Sequence, residues 1–263
     1  MSGFAPDWLA LRDPADRAAR SRTLRDRLLT HLFARPGGRP LRVIDLGCGT
    51  GATWRALAPL LPPDTEWCLV DHDPALLAAA RTALGDSAQI SFLEADLAAS
   101  VEETLARGAD LVTSSALIDL CSAEWLSRLG GAVPPGAAVY MALNYDGTEH
   151  WEPAHDAEPR AHAAFLDHHR RDKGFGPALG AEAPAHLSRV LAARGWTVRS
   201  AASPWRLSQA HRGLIAALAE GSAQAVAETG ALSPAEHAAW AASRRSAESV
   251  MIGHTDLLAL PPA

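Results

Sequence analysis

Lysine and asparagine are almost missing from this chain. Of its 24 basic side chains only Lys173 is a lysine, and Asn144 is the single asparagine in 263 residues. A GC-rich genome yields such scarcity, because Lys and Asn codons are AT-rich, but codon bias does not explain where the two survivors sit. Cysteine is nearly as rare: Cys48, Cys68 and Cys121 are scattered and odd in number. That excludes a disulfide framework or a zinc knuckle and fits reduced thiols in a cytoplasmic protein. No apolar run approaches the roughly 20 residues that a membrane helix needs. The first 20 residues are charged throughout, so no secretory signal is expected. A basic surplus is also absent. The net charge of −6 argues against a generic nucleic-acid binder, which must neutralise phosphates. What the chain does have is 48% hydrophobic residues and 21% charged ones, the composition of a globular protein with a real core.

Residues 7–34 read as helix, with Asp13-Pro14 as an N-cap followed by proline at the first helical position. RPGGRP (35–40) breaks it. Strands are expected at 41–46, 66–71, 89–96, 109–116 and 137–145, with helices at 52–61, 74–84, 100–107 and 123–131 between them. This alternation predicts an α/β fold, a parallel sheet covered by helices on both faces. Residues 146–181 interrupt the rhythm with a helix (157–171) and a glycine-rich loop. A helix (182–194) and a strand (196–202) resume it, followed by helices near 208–229 and 234–249 and a last strand near 250–260. The reading is a single domain spanning 1–263. It has a helical cap (1–40), a core (41–145), an insertion (146–181) and a C-terminal part that completes the sheet (182–263).

The strongest motif is VIDLGCGTG, residues 43–51. A hydrophobic strand runs into Gly47, Gly49 and Gly51, and a helix follows at once. Glycine lets backbone approach a ligand closely and adopt positive φ. The helix start then offers free N–H groups. Parallel α/β folds hold nucleotide-like ligands in this way. The stretch also fits the dinucleotide pattern G-x-G-x-x-G/A, with Ala52 in the last place. Three carboxylates separate the two readings: Asp45 inside the strand end, Asp71 closing the second strand, and Asp96 after the third. A dinucleotide fold uses Asp71 but has no particular use for Asp45 and Asp96.

With VIDLGCGTG, the acidic end of WCLVDHD and the EAD after the third strand, the chain resembles the class I S-adenosylmethionine-dependent methyltransferases. The resemblance covers 41–145. It implies a Rossmann-like, mostly parallel seven-stranded sheet whose last strand is antiparallel. It further implies that Gly47, Gly49 and Gly51 line the methionine end of S-adenosyl-L-methionine. Asp71 would then bind both ribose hydroxyls, Asp96 and Leu97 the adenine, and Asp45 the amino group, directly or through water. Ser115 would lie near the sulfonium.

Methyl transfer from a sulfonium needs an aligned acceptor, exclusion of water, and removal of a proton where the acceptor carries one. Candidates come from the ends of the fourth and fifth strands. Asp119, in SSALIDLCS, either orients or deprotonates an acceptor or is a helix-terminal charge. Asn144 and Tyr145 follow the fifth strand, in the part of this fold that walls the acceptor. The NPPY signature of many amide and adenine N-methyltransferases is absent. The insertion holds His150, His155, His162, His168 and His169, but none forms a ligand motif with a cysteine, so no metal is expected and a solvated helix face is the simpler reading. RRDKGFGPALG places Arg170, Arg171 and Lys173 before a loop containing Phe175. It reads either as a mobile lid whose cations bind a carboxylate or phosphate, or as a solvated turn. Trp205, after the sixth strand, and Trp8 and Arg17, in the N-terminal segment, either line the acceptor pocket or pack the cap.

The expected activity is therefore S-adenosylmethionine-dependent methylation of an O or N atom of a small metabolite, with an anionic group as one option. Catalytic candidates are Asp119, Asn144, Tyr145 and Lys173. Candidate substrate contacts are Trp8, Arg17, Arg171, Phe175 and Trp205. Protein or RNA methylation, a non-catalytic cofactor-binding role and a nicotinamide oxidoreductase are the competing readings.

Overall fold

The computed structural model describes residues 5–35, 38–85 and 87–262; Pro36 and Gly37, inside the RPGGRP breaker, lie outside the described residues. The chain opens with α1 (Pro6–Ala19) and α2 (Arg22–Phe33). The single helix started by Asp13-Pro14 is not what forms. Helix α1 runs straight through Pro14, and the chain breaks at Arg20-Ser21 instead. Ser21 is extended and its hydroxyl accepts the Leu24 N–H at 3.3 Å, which makes it the N-cap of α2. Asp13 is no cap; it binds Arg55 and Arg17. Leu24, Leu28 and Leu32 recur every four residues, share one face of α2 and are buried. Such burial contributes about 1.5–3 kcal/mol per leucine.

Five strands then alternate with helices: β1 (Arg42–Leu46), α3 (Ala52–Leu57), β2 (Glu66–Asp71), α4 (Pro74–Leu84), β3 (Ile90–Glu94), α5 (Leu97–Leu105), β4 (Leu111–Ser115), α6 (Ala123–Ala132) and β5 (Ala138–Glu152). All their mutual pairings are parallel. After them come α7 (Glu158–His169), α8 (Ala183–Ala193), β6 (Thr197–Ala202), β7 (Trp205–Ser208), α9 (Arg212–Ala227), α10 (Pro234–Arg245) and β8 (Ser249–Leu260). The sheet order is β3-β2-β1-β4-β5-β8-β6. Strand β8 is antiparallel to β5 and β6 and lies between them. This is the mostly parallel sheet expected, with one strand more. Residues 205–208, for which no strand is expected from the sequence, pair with β8 as β7. Trp205 and Leu207 point inward and Arg206 and Ser208 outward, an alternation too short to register in the sequence.

Alternation along the central strands divides the core in two. Ile44, Leu46, Val112, Val139 and Met141 meet Val101, Leu126, Leu129 and Leu187 of α5, α6 and α8. Val43, Leu69, Leu111 and Tyr140 meet Leu24 and Leu28 of α2 and Leu57 of α3. The same pleat puts Asp45, two residues after Val43, and Ser115, four after Leu111, on the side of the N-terminal helices. Beyond Met141 the strand β5 does not stop where its fourth-strand partner does. It bulges at Leu143, whose φ is +58°, and continues to Glu152 against the first half of β8. With β7 this forms an antiparallel extension above the carboxyl ends of the parallel strands. Tyr145, Trp151, Trp205, Val250 and Ile252 on it pack under Ala15 of α1 and Leu214 and Ile215 of α9. Helices α7, α9 and α10 close over it in a further small core around Trp240.

Candidate functional site

In an open α/β sheet, ligands bind at the carboxyl ends of the strands, where the strand order reverses. Here that point lies between β1 and β4. From Leu46 the chain turns through Gly47, Gly49 and Gly51 with φ of +62°, +53° and +86°. L-residues rarely adopt these values, so glycine is required on backbone grounds. The loop is pinned from below: Cys48 N–H donates to the Val70 carbonyl at 2.9 Å, and Gly49 N–H donates to the Asp71 carboxylate at 2.8 Å. The other Asp71 oxygen accepts the Asp73 N–H at 3.1 Å. Asp96 caps α5 by accepting the Ala98 N–H at 2.9 Å, and the carbonyl of buried Leu97 accepts the Trp125 indole N–H at 2.7 Å. From above, Leu9 of α1 rests on the loop. A Cβ placed on Gly49 would stand 3.0 Å from its methyl.

On the same side lies a buried polar cluster. Ser115 accepts from an Arg20 guanidinium nitrogen at 2.7 Å and shares a hydrogen bond with the Thr53 hydroxyl at 2.8 Å. Asp45 is fully buried beneath them, and neither of its oxygens has a partner. Burial pushes its carboxyl up to about 7, with Thr53 and Arg20 opposing. The remaining two nitrogens of buried Arg20 also lack partners. An unpaired carboxylate beside an unpaired guanidinium is complementary to a zwitterionic amino acid: the ammonium meets Asp45 and the carboxylate meets Arg20. The residues present therefore fit the methionine end of S-adenosylmethionine.

The second half of the site is built from the ends of β4 and β5 and from the antiparallel extension. Asp119 follows β4 and is buried; one oxygen lies 3.5 Å from His169 Nε2 of α7, and the other has no partner. The His169 ring stacks on Phe165 and meets the edge of Tyr145, with centroids 6.1 and 5.4 Å apart. His254 of β8 lies between Tyr145 and Trp205, at 6.4 and 4.8 Å. Burial, then the nearby Arg12, lowers the His254 imidazole to about 4, so it is neutral at neutral pH. Asn144 is fully buried. Its amide nitrogen donates to the carbonyls of Met141 and Thr255, at 3.0 and 2.9 Å, which locks the β5 bulge and leaves its oxygen unpartnered.

Other sequence candidates stand elsewhere. Tyr145 is in the site by its ring only. Its hydroxyl donates to Glu149 at 3.0 Å, and burial raises it far above the ordinary phenol range, so it is not placed to act as a base. Lys173 lies near Glu228, with His168 and Arg171. Arg171 is half-exposed in its 3.3 Å pair with Glu228. Phe175 packs edge-on against Trp125, centroids 5.0 Å apart, and walls a separate surface cleft of about 530 Å3 beside Ala98 and Ser122. The loop around it is therefore anchored on α6, and at Leu179 it bonds back to the Cys121 carbonyl at 2.9 Å. Arg17 is exposed and paired with Asp13. Trp8 is half-buried against the α1–α9 core. Trp205 is buried, donates to Asp16 at 3.0 Å and carries the Arg12 guanidinium on its ring, so it supports His254 from behind. Sequence reasoning passed over His169 and His254. The signals were present: His169 lies one helical turn after Phe165, and His254 stands with Thr255 and Asp256 in the middle of a strand whose flanks are apolar.

Residues 43–133 match the family model of the methyltransferase domain. The matched segment runs from β1 to the end of α6 and holds the glycine loop, Asp45, Asp71 and Asp96, and over it the chain is similar to methyltransferase domains. No curated protein matches it in sequence. Among solved structures, a protein of Bacillus halodurans described as a methyltransferase candidate is 13% identical, with a TM-score of 0.52 over 90% of this chain and 98% of the other. The YcgJ protein of Bacillus subtilis is 10% identical, with a TM-score of 0.52 over 92% and 100%. At these identities the likeness is one of fold.

Proposed function

We propose that the chain methylates an O or N atom of a small molecule held between α1, α7 and the β5–β8 extension. The observation that carries this reading is where the unsatisfied polar atoms lie. Nine buried side-chain N and O atoms have no partner among the described residues, and six of them belong to Arg20, Asp45, Asp119 and Asn144. Native proteins satisfy such atoms unless a ligand does so. These six collect at the carboxyl ends of β1, β4 and β5, where the fold places its ligands.

In this reading Gly47, Gly49 and Gly51 hold the methionine end of S-adenosylmethionine together with Asp45, Arg20 and Ser115. Asp71 and Asp96, with Leu97, hold the ribose and adenine. When bound, this cofactor supplies an electrophilic methyl group and a neutral thioether leaving group, so the acceptor needs only a free electron pair and alignment. The protein's part is to exclude water with Leu9 and α1, and to position the acceptor beside Asp119. A site covered by α1 and α7 suits a small acceptor better than a protein or RNA chain. Calorimetry with S-adenosylhomocysteine and with NAD tests the cofactor assignment: binding of the first and not the second is expected. Incubation with S-adenosylmethionine and a metabolite extract, read by mass spectrometry, then tests for a product 14 mass units heavier than its precursor, the mass that one methyl adds in place of hydrogen, roughly independent of acceptor. NAD binding, or cofactor binding with no methylated product, contradicts the reading.

A further inference from the structure

The acceptor side of the cleft accepts hydrogen bonds and is lined by aromatic rings, and its nearby arginines are paired. Resting on the reading above, we propose that the methyl acceptor is an amine, bound as its ammonium, and that Asp119, oriented by His169, takes the proton that frees the nitrogen electron pair.

Three observations carry this. First, the two unpartnered groups at the ends of β4 and β5 are both oxygens. The free Asp119 oxygen is one. The other is the Asn144 oxygen, whose identity is fixed because both partners of the amide nitrogen are carbonyls and demand a donor. Both positions call for a ligand with N–H or O–H groups. Second, His169 lies beside Asp119 and belongs to a ring cluster with Tyr145 and Phe165, and aromatic faces attract cations. Third, apart from Arg20, the nearby arginines are paired with carboxylates among the described residues. Arg12 binds Asp16 through two nitrogens at 2.9 and 3.2 Å, Arg17 binds Asp13, Arg170 binds Glu182 and Arg171 binds Glu228. Arg20 is turned toward Ser115 and Asp45, on the cofactor side. An anionic acceptor would face Asp119 with no charge to offset it.

The proton accounting is simple. An ammonium has no electron pair to attack with. Its N–H bond breaks, the pair stays on nitrogen, and an O–H bond forms on the free oxygen of Asp119. The methylated nitrogen leaves as an ammonium once more, and Asp119 returns its proton to solvent. His169 is a positioning residue: its Nε2 stands 3.5 Å from the second Asp119 oxygen, and Phe165 and Tyr145 pack against its ring. The other titratable groups around Asp119 are His254 of β8 and Cys121 of its own segment, whose thiol burial pushes well above the ordinary range.

Calorimetry on the full chain tests this. The protein is first titrated with S-adenosylhomocysteine, and then, when saturated, with three probes of one shape: 2-phenylethylamine, 2-phenylethanol and phenylacetate. The amine is expected to bind at least tenfold more tightly than either of the others. Asp119→Asn is expected to lose at least tenfold in amine affinity and to keep its affinities for the alcohol and for S-adenosylhomocysteine. His169→Gln is expected to shift the pH dependence of amine binding without changing its ranking against the alcohol. The wild-type ranking stands as a test even where a variant fails to fold. An alcohol or acid bound as tightly as the amine, no amine binding, or an unaffected Asp119→Asn overturns the proposal. If S-adenosylhomocysteine does not bind, the cofactor reading falls and the proposal falls with it. If it binds and the amine is not preferred, the proposal falls alone.

Discussion

The Arg20 guanidinium, at the end of α1, donates to the Ser115 hydroxyl at the end of β4 across 2.7 Å. That bond joins the N-terminal helix to the point where the strand order reverses. The helix that lays Leu9 on Gly49 thus also delivers the charge that faces Asp45. In the proposed function the N-terminal segment is therefore part of the cofactor site as well as its cover.

Replacing Arg20 with alanine removes two unpartnered donors and the bond to Ser115. The expected outcome is a loss of ten- to a hundredfold in S-adenosylhomocysteine affinity, about 1.4–2.8 kcal/mol, measured by calorimetry. Arg20→Lys keeps the charge but not the planar fork, and is expected to recover only part of the loss. Unchanged affinity in Arg20→Ala would remove Arg20 from the cofactor site.

Two glycines give a contrast that separates backbone need from helix propensity. Gly49 has φ +53° and Leu9 at 3.0 Å from its missing Cβ, so Gly49→Ala strains the loop and lifts α1. Strain of this kind costs roughly 1–2 kcal/mol, and cofactor affinity should fall with it. Gly131 sits exposed in α6 with nothing within 4 Å of its missing Cβ. Gly131→Ala is expected to stabilise the fold by roughly 0.5–1 kcal/mol. Thermal unfolding of the two variants should move in opposite directions.

Much of the half proposed to hold the cofactor was legible in the sequence because it is local. Strand, glycine loop and helix start are contiguous in VIDLGCGTG, and Asp71 and Asp96 each end or follow a strand that periodicity already marks. The acceptor half was not, because its geometry comes from distant segments. Asp119 and His169 are fifty residues apart, and His254 reaches Tyr145 only through the antiparallel register of β5 and β8. The extension of β5 to Glu152 was hidden by its mixed polarity, DGTEH, since only alternate residues on one side of that ribbon are buried. The rarity of Lys173 was a signal about codons, and its position shows no tie to the cleft.

Lys173 therefore supplies a negative control. It lies by Glu228 at the outer surface, together with His168 and Arg171. Lys173→Ala and Arg171→Ala are expected to leave S-adenosylhomocysteine affinity and turnover within twofold of the wild type. Surface pairs of this type contribute about 0–1 kcal/mol, so unfolding should shift little. A tenfold loss of turnover in Lys173→Ala would bring the glycine-rich loop back into the site.

Arg244 is the opposite case. It is 2% exposed, binds Glu149 at 2.8 Å and also Glu158, and lies over the rings of Trp151 and Trp240 at 4.2 and 4.7 Å. Glu149 in turn holds the Tyr145 hydroxyl. Arg244→Ala leaves two carboxylates buried without a counter-charge, a change that typically costs about 3–5 kcal/mol. Denaturant unfolding should show a loss of that size, and Arg244→Lys should not restore it, because one ammonium cannot serve both carboxylates and both rings.

Two buried groups of the site titrate in opposite senses over nearly the same interval, and this makes the pH dependence of the apo fold a test of both. Burial raises Asp45 from 3.8 to about 7, so between those values the folded state holds a proton that the unfolded chain has released. Its contribution to stability is present below pH 3.8 and is lost as pH rises toward 7. Burial, then Arg12, lowers His254 from 6.5 to about 4, so between those values the unfolded chain holds the extra proton. Its contribution is present above pH 6.5 and is lost as pH falls toward 4. In the wild type the two slopes oppose each other, and the chain should unfold with a shallow net dependence on both groups between pH 4 and 6.5. Asp45→Asn removes the falling slope, so its stability relative to wild type should grow with pH through this window. His254→Gln removes the rising slope, so its stability relative to wild type should decline over the same window. Urea unfolding at pH 4.5, 5.5 and 6.5 measures both. Parallel curves for wild type and Asp45→Asn would mean that Asp45 ionises normally in the folded chain, and that burial alone does not hold its proton.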